Sequence, residues 1–141
     1  MKKRLILLCF GIMVSVAGYS PASNTLIITT KPPISPYQTL WEATTFIESS
    51  NNPNALNRLE NAVGIAQIRP IRLKDYNQRT GKSYSLRQMY DPIISKEIWL
   101  FYATTFHPSQ SEQIAKAWNG KGKSNKVYWR AVKKQMENNL K

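Results

Sequence analysis

Residues 37–49 read YQTLWEATTFIES. Tyr37, Leu40, Trp41, Thr44 and Ile47 recur at intervals of three and four, with Phe46 beside them, and this spacing places them on one face of an α-helix. The helix is predicted to end near Ser49, because Asn51-Asn52-Pro53-Asn54 follows, a set of turn formers whose proline cannot extend a helix. One amphipathic helix cannot bury its own apolar face, so the neighbouring segments must supply the cover.

Downstream, a short segment at 62–68 is expected to stop at Pro70, after which Ile71, Leu73 and Tyr76 predict a helix ending near Gly81. Ser85 suits the cap of a brief turn through Met89. Asp91-Pro92 is the clearest helix start, since Asp accepts from free N–H groups and Pro fits the first helical position; its apolar set is Ile94, Ile98, Phe101, Tyr102 and Thr105. Ser109 or Ser111 is expected to cap a further helix through Ala115 and Trp118, broken by Gly120 and Gly122. A last helix carries Val127, Tyr128, Ala131 and Val132. No segment sustains period-two alternation, so the fold class is expected to be all-α. A chain of 141 residues suffices for one domain with its own core, read here as 37–141.

Upstream, 18–36 is rich in Ser, Thr and Pro and reads as an extended linker, because Lys31-Pro32-Pro33 and Ser35-Pro36 oppose helix. Residues 1–17 read as a secretory signal: Lys2, Lys3 and Arg4 precede a run of thirteen residues from Leu5 to Ala17, with small Ser15 and Ala17 near a cut before Gly18. The run is short of the roughly twenty residues a bilayer-spanning helix needs. The expected product is therefore exported, to the periplasm or beyond the cell, with membrane contact only through the signal segment.

Twenty Lys and Arg against eight Asp and Glu give a net charge of +12, and removing the three leader charges leaves +9. Such a field favours polyanionic partners without naming one, and a general solubility charge is the plainer reading. Lys121, Lys123 and Lys126 with Gly120 and Gly122 could form an anion-binding loop or simply a solvated one. Cys9, the only cysteine, lies inside the leader, after Leu8 instead of a small residue, so neither lipidation nor a disulfide is expected. With no other cysteine, a Cys nucleophile is excluded from the exported part, and the single His107 leaves no His-rich metal site or Ser-His-Asp triad. No metal and no cofactor are expected.

Glu48 follows Phe46 and Ile47 at the end of the first helix. Apolar neighbours disfavour a carboxylate and raise its pKa, which suits a proton donor near neutrality, although a Glu at a helix end is ordinarily solvated. Beyond it, Glu48-Ser49, Asn52-Pro53, Ala55, the run Ala62-Val63-Gly64-Ile65-Ala66-Gln67-Ile68, Pro70, Asp91-Pro92, Ala117-Trp118-Asn119-Gly120 and Tyr128 occur in an order that resembles the lytic transglycosylases. These include the soluble murein transglycosylases and are related to goose-type lysozyme. The resemblance spans about Leu40 to Val132, with Trp118 standing where the family usually has tyrosine.

It implies a lysozyme-like helical domain with a glycan-binding cleft, acting on peptidoglycan strands as a monomer. Glu48 would protonate the bond between N-acetylmuramic acid and N-acetylglucosamine and then deprotonate the muramoyl 6-hydroxyl, closing a 1,6-anhydro ring. Ser49, Gly64, Ile65, Gln67, Tyr102, Trp118, Asn119 and Tyr128 are the candidate substrate-binding residues. Gly64 would let a sugar approach the backbone, and Gln67 would offer a donor and an acceptor or be satisfied inside the protein. Asn119 or Tyr128 could hydrogen-bond Glu48 or the sugar. Glu60 is either a second catalytic carboxylate, which would make a hydrolytic muramidase, or a solvated residue paired with Arg58. An inactive glycan binder on the same scaffold is the third reading. Nucleic acid is not an expected partner, because export removes the chain from it and the aromatics follow core periodicity.

Overall fold

The computed structural model describes residues 35–120 and 124–140. The expected leader at 1–17, Cys9, the linker up to residue 34 and Lys121, Gly122 and Lys123 lie outside the described residues. The order of elements is α1 (Gln38–Ser49), β1 (Leu56–Asn57), β2 (Ala62–Val63), α2 (Pro70–Thr80), a 3₁₀ turn (Leu86–Tyr90), α3 (Pro92–Ala103), α4 (Ser111–Asn119) and α5 (Asn125–Asn138). The class is all-α with one addition, the antiparallel pairing of Leu56 with Val63 and Asn57 with Ala62. Two residues per strand are too few to leave an alternating pattern, which is why the sequence shows only a short segment there.

Local chemistry sets most of the boundaries. α1 ends where Ser50 and Asn51 turn left-handed (φ 53° and 62°), with the Ser50 N–H donating to Phe46 O and the Asn51 N–H to Thr45 O. Pro70 opens α2 instead of merely stopping the segment before it, since the first helical position needs no N–H, and Gly81 closes the helix at φ 73°. Ser85 and Gln88 cap each other across the 3₁₀ turn. Asp91 Oδ1 accepts from the Ile93 N–H at 2.8 Å, fixing the start of α3. Neither Ser109 nor Ser111 caps α4: Gln110 occupies that position, and Ser111 is the first helical residue.

The buried side of α3 is Ser95, Ile98, Trp99 and Ala103; of the expected set Ile98 is fully buried, Ile94, Phe101 and Tyr102 pack partly buried against the core, and Thr105 lies beyond the helix. Ser95 and Ala103 are small enough to let neighbouring elements close in, and Trp99 fills the centre, meeting Trp41 edge-on at 5.4 Å between ring centroids. Leu40, Trp41 and Ala43 of α1, Ile68, Met89, Ile114, Ala115 and Val132 complete the core. α5 lies across α1 and α4, sinking Val132 fully and Tyr128 partly while Val127 stays exposed. That crossing brings the last helix over the end of the first, where Glu48 sits.

Candidate functional site around Glu48

Glu48 is the penultimate residue of α1, at the negative end of the helix dipole, and it is partly buried. Its Oε1 accepts a hydrogen bond from the Tyr128 hydroxyl at 2.8 Å, across 80 positions of sequence. Burial pushes the carboxyl above its ordinary value near 4.5; the Tyr128 bond and the charges of Arg69 and Arg72 pull the other way without reversing the shift, and Glu60 adds to it. Tyr128 is itself driven upward by burial and by the neighbouring carboxylate, so its hydroxyl keeps its proton and donates. The carboxyl whose pKa is raised in this way faces a cavity of about 90 Å³.

Asn57, Glu60 and Gln67 line this cavity from the hairpin side, and Arg69, Arg72, Trp118 and Asn119 close it from α2 and α4. The hairpin runs directly into a tight turn: Val63 and Ile68 exchange backbone hydrogen bonds at 2.9 and 3.1 Å, leaving Gly64 to Gln67 as the loop. Gln67 adopts φ 51°, a left-handed conformation that costs a non-glycine residue about 1 kcal/mol or more, and its amide donates to Gly64 O at 3.0 Å. On the opposite wall, Asn119 donates to Asn125 Oδ1 at 2.6 Å, and Asn125 in turn donates to Gly120 O at 2.6 Å, fixing the amide.

No family model, characterised protein or solved structure matches this chain. The site is therefore read from its own geometry.

Of the residues singled out in the sequence, the structure gathers Glu48, Glu60, Gln67, Trp118 and Asn119 around one cavity, with Tyr128 bonded to Glu48. The other four lie elsewhere. Gly64 is buried, and a Cβ there would stand 1.9 Å from Met89 O, so the close approach it permits is by the protein's own backbone and not by a sugar ring. Ile65 faces a separate surface hollow with Trp41, Ile93 and Leu100, and its carbonyl accepts from the Ser49 hydroxyl at 2.8 Å. Ser49 accordingly ties α1 to the turn. Tyr102 donates to Asp75 Oδ2 at 2.6 Å on the outer side of α2 and borders a groove next to the cavity. Glu60 pairs with Arg69 at 2.9 Å, not with Arg58, because the hairpin folds it back toward the start of α2.

Asn57, Arg69 and Arg72 were not anticipated. Arg69 and Arg72 are three apart across a helix start and just past Gln67, a spacing that would have placed both on the cavity side. Arg72 donates to Trp118 O at 2.7 Å, and its guanidinium lies 4.2 Å from the Trp118 ring and 4.8 Å from the Tyr102 ring. Burial pulls its pKa down. Among the described residues, no group of three or more His, Cys, Asp or Glu side chains is placed to hold a metal, and no helix is long and apolar enough to cross a membrane.

Proposed function

We propose that the chain is an exported peptidoglycan lytic transglycosylase with a lysozyme-like helical domain, in which Glu48 is both acid and base. The observation that carries the reading is the position of the Glu48 carboxyl, which lines a polar cavity, accepts a hydrogen bond from Tyr128 and has its pKa raised by burial. In the first step Glu48 gives its proton to the glycosidic oxygen as the bond from muramoyl C1 to that oxygen breaks. In the second, the Glu48 carboxylate takes the proton of the muramoyl 6-hydroxyl as O6 bonds to C1, so the 1,6-anhydro ring closes and no water is consumed. An intramolecular hydroxyl has an effective concentration on the order of 10⁵ M when well oriented, which lets it outcompete water. The substrate's acetamido group can stabilise the cationic centre, so one carboxyl suffices. Gln67 and Asn119 line opposite walls of the cavity, which supports a role for both amides in hydrogen-bonding the sugars.

Glu60 supports a second reading, a hydrolytic muramidase, because it borders the same cavity and could activate water there. Its ion pair with Arg69 argues for a fixed charge at the rim instead. Digestion of isolated murein by the purified chain separates the readings. Anhydromuramoyl ends that disappear with Glu48→Gln support the transglycosylase, and reducing ends that also require Glu60 support the hydrolase. Unchanged murein with a folded wild-type chain would leave only a binding protein.

A further inference from the structure

α5 turns one side inward and leaves the other to solvent. Val132 is fully buried, and Tyr128, Trp129 and Met136 pack against the core. On the outer side Lys126, Arg130, Lys133 and Lys134 are all exposed. Their intervals of four, three and one keep them on one side of the helix, in a row about 12 Å long at the helical rise per residue. Lys126, read in the sequence as part of a basic loop, thus belongs to this row. Among the described residues none of the four forms an ion pair, and Arg130 donates to the Lys126 carbonyl at 3.4 Å. Glu137 is the only acid in α5. Lys126 with Arg130 and Arg130 with Lys134 are like charges four apart, which oppose the helix they stand on. An external anion would relieve a repulsion that the fold leaves in place.

The shape of the row narrows the choice of anion. Val127, 61% exposed, stands on the same side as Arg130 and Lys134, and Leu140, 76% exposed, follows the end of the helix. A convex helix with cations along its outer side and apolar side chains at the edge suits a lipid surface, where the charges meet headgroup phosphates and the apolar groups enter the boundary beneath. A soluble polyanionic chain is matched instead by a groove or by stacking aromatics. The hollows described above are lined by other elements, and both aromatics of α5 pack against the core. We propose that the outer side of α5 docks the folded domain peripherally on an anionic phospholipid bilayer through Lys126, Arg130, Lys133 and Lys134, with Val127 at the edge of the contact. This surface is opposite to the Tyr128 side of the helix, and the assignment does not depend on the transglycosylase reading.

The test is co-sedimentation of the purified chain with vesicles of phosphatidylglycerol and with vesicles of phosphatidylcholine. Each basic side chain at an anionic surface contributes about fivefold, so four cations less one acid predict a preference of about a hundredfold for phosphatidylglycerol at low salt. The preference should fade near 1 M salt, where the screening length is about 3 Å. Any contribution of residues 1–17 is common to the wild type and the variants, so the variants isolate α5. Lys133→Gln with Lys134→Gln should weaken binding to phosphatidylglycerol about 25-fold, and Lys133→Glu with Lys134→Glu should abolish the preference, with the helical circular dichroism of both unchanged. Equal binding to the two kinds of vesicle, or a preference that survives the double Glu variant, overturns the proposal. Tighter binding to soluble polyphosphate than to phosphatidylglycerol vesicles at equal phosphate concentration also overturns it, and assigns α5 to a soluble polyanion.

Discussion

Glu48 and Glu60 border the same cavity from opposite surroundings. Glu48 sits at the end of α1 beneath α5, with a tyrosine hydroxyl as its hydrogen-bond partner, and burial raises its pKa. Glu60 stands on the hairpin, its side chain 48% exposed, with Arg69 across from it. The difference is one of solvent and partner, not of residue type. An acid that must donate at neutral pH needs the dry position; a carboxylate that sets the local field can stay wet.

The largest effect should come from Glu48→Gln, which removes the only buried carboxyl at the cavity. Cleavage is expected to fall by about 10²–10⁴-fold in murein digestion. The same variant should be as stable as the wild type or, at neutral pH, more stable by up to about 1 kcal/mol by thermal unfolding. The sign follows from linkage: a carboxyl whose pKa is raised in the folded state stabilises fully below its unfolded value near 4.5, and that contribution is lost as pH rises through the folded pKa. Loss of fold in Glu48→Gln would break the contrast between the two carboxyls.

The turn that carries Gln67 is the next most sensitive point. Gly64→Ala places a methyl 1.9 Å from Met89 O at a backbone φ of +79°, and a stability loss of about 3 kcal/mol or more is expected in denaturant unfolding. A neutral result would mean that this turn is soft and that Gln67 is not held firmly against the cavity.

Tyr128→Phe is expected to lower the cleavage rate about tenfold. It also removes a hydrogen bond that favours the ionised form of Glu48, so the alkaline limb of the pH–rate profile should move to higher pH. Glu60→Gln should have the smallest effect, a few-fold change in rate with that limb moving to lower pH, because the charge of Glu60 raises the Glu48 pKa and its loss also frees Arg69, which lowers it. A collapse of activity in Glu60→Gln would instead give the two carboxyls equal catalytic rank.

How much of this could be read in the sequence depends on the range of the interactions. The first helix, the Gly81 stop and the Asp91-Pro92 start rest on bonds spanning a few residues, and they are legible. On α3 the apolar spacing finds Ile98 and the flanking Ile94, Phe101 and Tyr102 but centres the stripe away from Ser95, Trp99 and Ala103, because which side of a largely apolar helix goes innermost is decided by close packing against other elements. At the site, Glu48 and Gln67 came from a resemblance, and the partnership of Glu48 with Tyr128 was one of several options for each residue. Only the crossing of α5 over α1 decides it. Gly64 shows the opposite failure: its smallness is visible in the sequence, but what it makes room for is the Met89 carbonyl, brought there by the 3₁₀ turn.

The Ser49 hydroxyl, bonded to Ile65 O at 2.8 Å, joins the residue after the acid to the loop that carries the Gln67 amide. The Glu48 carboxyl and the Gln67 amide are consequently mounted on one bracket, and a shift at the end of α1 is passed to the loop through that bond instead of changing the spacing across the cavity.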